Sequence, residues 1–87
     1  MDEVSVFKAL ADATRLTILD TVKNSERCIC EIIPNTGKSQ PTVSQHIKIL
    51  KNAGLVDERK DGARVMLKSS NKKIFDIIDQ VRELGIK

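Results

Sequence analysis

The 87-residue chain, 40% hydrophobic and 31% charged, has the length of one domain rather than two, with a core too modest to be more than marginally stable alone. Two Phe, no Trp and no Tyr leave no aromatic platforms for stacking single-stranded bases; no apolar run is long enough for a membrane span or a signal-peptide core, which implies a cytoplasmic protein. The net charge of +3 is unevenly spread, −2 over residues 1–36, +4 over 37–68 and +1 over 69–87, so the middle third is a basic surface suited to a polyanion.

Val4, Phe7, Leu10 and Ala11 recur at helical spacing and predict a first helix over about residues 3–11. Asp12 is a natural N-cap for a second helix, with Leu16, Leu19 and Val22 on one face, ending near Asn24-Ser25. A short segment, Glu26 to Cys30, leads to a brief third helix around Glu31–Thr36 that stops at Gly37. Ser39 caps a fourth helix with Pro41 in its first turn, running to about Ala53 with Gly54 just past its end. Its inward stripe is Val43, Ile47 and Leu50. Leu55–Arg59 and Ala63–Leu67 flank Lys60-Asp61-Gly62, and Asp-Gly between two alternating runs is a strong hairpin signal. After Ser69-Ser70-Asn71 a last helix carries Ile74, Ile77, Ile78, Val81 and Leu84.

Four helices, a β-hairpin and a helix (α-α-α-α-β-β-α) make a mainly α chain with a two-stranded wing, a winged helix-turn-helix occupying residues 1–87 as a single domain. With Val43, Ile47 and Leu50 facing the core, the outer face of the fourth helix shows Gln40, Thr42, Ser44, Gln45 and Lys48, with no acidic residue from Lys38 to Ala53. Amide and hydroxyl side chains of this kind read base edges in the major groove of duplex DNA, whereas an ordinary solvated helix carries Glu and Lys pairs. Ser39 can present a backbone N–H to a phosphate, and Arg59, Lys60 and Arg64 of the hairpin suit the flanking backbone or minor groove. His46, the one histidine, lies at the edge of the inward stripe in a structural or phosphate-contacting position. No nucleophile–base pair or phosphate-binding loop suggests an enzyme. The rival class is a protein-interaction module of the same fold, which should show an apolar patch on the fourth helix.

Cys28 and Cys30 are expected as thiols in a reducing compartment. Pro34 would clash with the carbonyl of Cys30 inside a helix, so the helix is expected to start at Cys30 or later, leaving Cys28-Ile29-Cys30 extended with both sulfurs on one face. Such a pair is a soft-metal or metalloid site, a thiol-redox switch, or two small buried hydrophobes.

The stretches Leu10–Leu16, Glu26–Ile32, Ser39–Leu50 and Ala53–Val56, with the Asp61-Gly62 wing, together resemble the arsenic-repressor (ArsR/SmtB) family of winged-helix regulators over nearly the whole chain. The resemblance implies a homodimeric repressor, paired through its first and last helices, that releases operator DNA when an inducer binds. It also likens Cys28-x-Cys30 to the family's thiolate site for arsenite, antimonite or soft divalent metal ions, with no cofactor otherwise required. Ile33, Pro34 and Asn35 stand where arsenite sensors of this type often carry a third cysteine, and the last helix has Asp76, Asp79 and Glu83 but no His for a zinc site.

Overall fold

The computed structural model describes residues 2–85. Its elements are α1 (Glu3–Leu10), α2 (Ala13–Thr21), β1 (Arg27–Cys28), α3 (Ile29–Thr36), α4 (Gln40–Asn52), β2 (Val56–Asp61), β3 (Arg64–Ser69) and α5 (Lys73–Glu83). Local chemistry explains most boundaries. Asp2 accepts from the Ser5 N–H at 2.7 Å and Asp12 from the Arg15 N–H at 3.1 Å, so two aspartates start α1 and α2. Gly37, at φ 67, takes the left-handed position that ends α3 and turns the chain into α4. Gly62, at φ 63, is the first of the two loop residues between β2 and β3, where a primed hairpin turn favours glycine.

The winged helix-turn-helix expected from the sequence is therefore present, with one addition. β1 pairs antiparallel with β3 (Arg27 opposite Leu67, Cys28 opposite Met66), so the sheet has three strands in the order β1-β3-β2. The hairpin loop is the two residues Gly62-Ala63 rather than the expected Lys60-Asp61-Gly62, and α2 ends at Thr21, three residues short of Asn24.

The core lies where α2, α3, α4, β3 and α5 converge. Ile18, Leu19, Ile32, Val43, Leu50 and Leu67 are fully buried there, and Ile74, Phe75 and Ile78 close it from α5. Burying each such side chain contributes about 1.5–3 kcal/mol. α5 carries two stripes: Ile74, Phe75 and Ile78 face the core, whereas Ile77, Val81 and Leu84 are exposed. Phe7 on α1 is 61% exposed, and it lines an apolar groove with Leu10, Leu16, Ile77 and Val81. No helix among the described residues is long and apolar enough to cross a membrane.

Candidate nucleic-acid interface

α4 is anchored by its apolar stripe: Val43, Ile47 and Leu50 are all buried. At 3.6 residues per turn that leaves Gln40, Thr42, Ser44, Gln45 and Lys48 on the solvent side, and all five are exposed. The exposed long apolar side chain of α4 is Ile49, at 41% exposure, on the flank facing α1. Ser39 caps the helix through its side chain, accepting from the Thr42 N–H at 3.4 Å and donating to Thr42 Oγ1 at 3.0 Å. Its hydroxyl is thereby occupied, and what the helix start can offer an anion is backbone N–H.

His46 is half-buried and turned inward. Its Nδ1 lies 3.0 Å from an Arg15 guanidinium nitrogen and 3.9 Å from Asp12 Oδ1. Asp12 is itself held below the usual carboxylate range, first by the hydrogen bond from the Arg15 backbone and then by the Arg15 charge.

The wing cations are less free than the sequence suggested. Arg59 on β2 makes a two-pronged pair with Glu26, at 2.8 and 2.6 Å, reaching over β3 to the residue just before β1. Those hydrogen bonds, followed by the charge, lower the Glu26 carboxyl and raise the Arg59 guanidinium. Arg64 on β3 meets Glu31 at 3.4 Å, and Glu31 also meets Arg27 at 3.7 Å. Lys60 is exposed and forms no salt bridge among the described residues. The Glu26–Arg59 and Glu31–Arg64 pairs escaped sequence reasoning, which considered Glu31 only as a third ligand beside the cysteines, because the partners lie 33 residues apart. Their flanking of the cysteines was the available hint.

The cysteine segment departs from expectation in two respects. Cys30 does not precede the helix: Cys28 is the extended N-cap, at φ −65 and ψ 139, and α3 begins at Ile29 with Pro34 inside it. The proline removes one N–H, the partner of the Cys30 carbonyl. A capping box at the helix start works against that loss. Cys28 Sγ accepts from the Cys30 N–H at 3.1 Å, and Glu31 accepts from the Cys28 N–H at 3.4 Å. The two cysteines are also not free thiols but are joined as a disulfide. Both sulfurs thus do lie on one side, through the N-cap bend rather than through an extended run. Cys28 is buried and Cys30 exposed, in a groove shared with Gln40 and Ser44 of α4 and Arg64 of the wing.

A resident metal fits this donor set poorly. No group of three or more His, Cys, Asp and Glu able to hold an ion occurs among the described residues. A closed site for a borderline-soft ion takes four ligands, and Glu31, the nearest carboxylate, already serves Cys28, Arg27 and Arg64.

The model of the family described as "Bacterial regulatory protein, arsR family" matches residues 12–58, from the α2 cap into β2. An uncharacterised helix-turn-helix-type transcriptional regulator of Methanocaldococcus jannaschii is 42% identical over 91% of this chain and 90% of its own length. The arsenical resistance operon repressor of Staphylococcus aureus is 36% identical over 88% of this chain and 74% of its own. Among solved structures, a homodimeric winged helix-turn-helix DNA-binding domain from Mycobacterium bovis, described as a possible ArsR-family regulator, superposes with a TM-score of 0.83. It is 32% identical, covering 94% of this chain and 76% of that one.

Proposed function

The chain belongs to the arsR family of bacterial regulatory proteins, and from that premise we propose that it is a sequence-specific repressor that binds operator DNA as a homodimer, with an affinity set by the state of Cys28 and Cys30. The observation that carries the DNA reading is the exposed face of α4: two glutamines, a serine, a threonine and a lysine with no carboxylate among them. In a major groove Gln40 and Gln45 pair with base edges, Thr42 and Ser44 meet bases or phosphates, and Lys48 neutralises a phosphate. His46 lies beside this set, Ser39 offers backbone N–H at the helix start, and Arg59, Lys60 and Arg64 hold the flanking backbone.

Dimerisation through α1 and α5 is supported by the exposed stripe of Phe7, Ile77, Val81 and Leu84, which the protomer does not cover. The same domain therefore both dimerises and binds DNA. The homodimeric Mycobacterium bovis domain supports a dimer by likeness.

For the input, the bonded sulfurs favour a thiol-redox switch. Hydrogen peroxide would take two electrons from the two thiols, the S–S bond forming as its O–O bond breaks, and the two thiol protons leave in two molecules of water. The reaction locks the N-cap of α3 beside Gln40, Ser44 and Arg64. The second reading, suggested by the name of the Staphylococcus aureus relative, is a thiophilic metalloid or soft ion on the reduced pair.

The test is operator affinity under dithiol reductant, peroxide or arsenite, for the native protein and a Cys28→Ser, Cys30→Ser double variant. Peroxide should weaken native binding by about 5- to 150-fold, the usual scale of allosteric coupling, reversibly and without effect on the variant. A response confined to arsenite moves the input to the soft ion. Response to neither removes the sensor role, and failure to bind any duplex removes the repressor reading itself.

A further inference from the structure

Arg15 is the most heavily hydrogen-bonded cation among the described residues. Its backbone N–H is bound by the Asp12 cap at the start of α2. Its Nε donates to the Ala9 carbonyl at 2.7 Å and one terminal nitrogen to the Lys8 carbonyl at 3.1 Å, both in the last turn of α1. Those carbonyls lie at a helix end, where intrahelical partners run out and positive charge is favoured. The remaining nitrogen meets His46 Nδ1 on α4 at 3.0 Å. One guanidinium thus ties the end of α1, the start of α2 and the middle of α4.

The chemistry of that last contact is one-directional. A guanidinium stays protonated and has only donors, so Nδ1 must be the acceptor. The ring proton is then on Nε2, the nitrogen turned away from Arg15. The other charged group facing the ring is Asp12, whose Oδ1 is 3.9 Å from the same Nδ1 and already accepts from the Arg15 backbone.

We propose that Arg15 is a positioning residue that acts through His46, fixing the ring's orientation and tautomer and thereby the rotation of α4 relative to α1. This rests on the reading of α4 as the DNA-contacting helix and of α1 as part of the dimer surface. On that reading the contact connects the dimer frame to the side chains that meet DNA. A lysine cannot replace the arginine, because a single ammonium cannot span two carbonyls on α1 and a ring nitrogen on α4 in one plane.

Two measurements test it. The first is the ¹⁵N spectrum of the His46 ring in the native protein at neutral pH, which needs no operator. It should show an unprotonated Nδ1 and a protonated Nε2, and the Nδ1-protonated tautomer would overturn the proposal. The second is a double-mutant cycle on a duplex selected from a random pool. Arg15→Ala and His46→Ala should each weaken binding about tenfold, and the double variant should lose no more than either alone. His46→Gln keeps an acceptor for Arg15 and should recover most of the loss. Losses that multiply to about a hundredfold would mean that the two residues act independently and that Arg15 does not work through the histidine. If the native protein binds no duplex, the repressor reading fails, while the ring tautomer still decides the Arg15–His46 contact.

Discussion

At the scale of single residues, Gln40 and Arg59 differ in what they have free to offer. The Gln40 amide is exposed and uncommitted, whereas Arg59 is already paired with Glu26 at 2.6 Å. A carboxylate here occupies the place a phosphate would take, so contact with DNA exchanges one anion for another. Exposed pairs contribute little to stability, which keeps that exchange inexpensive. Glu26→Gln should therefore tighten binding to any duplex by about threefold and steepen its dependence on salt by about one released ion. Salt titrations of both proteins on one random duplex check this, and unchanged slopes would mean that Arg59 never reaches the backbone. Gln40→Ala should behave in the opposite manner, costing about 1–3 kcal/mol on the selected operator and little on random DNA. Equal losses on the two DNAs would assign Gln40 to the phosphates.

At the scale of elements, the helix starts were legible because they rest on local chemistry. Asp12, Ser39 and Gly37 do what their side chains, or the lack of one, dictate within three residues along the chain. β1 was not legible, since two residues carry no period and acquire strand geometry only by pairing with β3, nearly forty residues later. The rule that Pro34 excludes Cys30 from the helix rested on a clash of the proline ring with the Cys30 carbonyl and missed the Cys28–Glu31 cap that holds the helix start one residue earlier. The division of α5 into a core stripe and an outer stripe was likewise invisible. Ile74, Ile77 and Ile78 are chemically alike, and only the way α5 lies on the common core decides which of them is buried. The Asp12 cap yields a prediction at this scale. Its carboxyl is held low in the folded protein, so the folded state binds that proton more weakly than the unfolded chain does. Its stabilising contribution is full above the ordinary carboxylate range and is lost as pH falls through the lowered value. Asp12→Asn keeps a capping oxygen but removes the titration, so its loss of stability between about pH 5 and pH 2 should be shallower than the native protein's. Denaturant melts across that range would show it, and parallel acid limbs would exclude Asp12 as the cause.

At the scale of the whole molecule, one small core and one uncovered apolar stripe lead to the same conclusion. The protomer buries Ile74, Phe75 and Ile78 yet leaves Phe7, Val81 and Leu84 at 61%, 46% and 74% exposure. A second copy related by a twofold axis would cover that stripe and set two α4 helices on the same side of the dimer. Two such helices reach successive major grooves only if they lie about 34 Å apart, roughly 10 base pairs. Base reading by α4 and dimerisation through α1 and α5 therefore meet in a single observable, the symmetry of the preferred site. The direct measurement is selection of bound duplexes from a random-sequence pool by the native protein under reducing conditions. The predicted result is enrichment of an inverted repeat whose half-sites are centred about one helical turn apart. Enrichment of a single half-site, or of no sequence at all, would contradict the account of this chain as a dimeric, sequence-reading repressor.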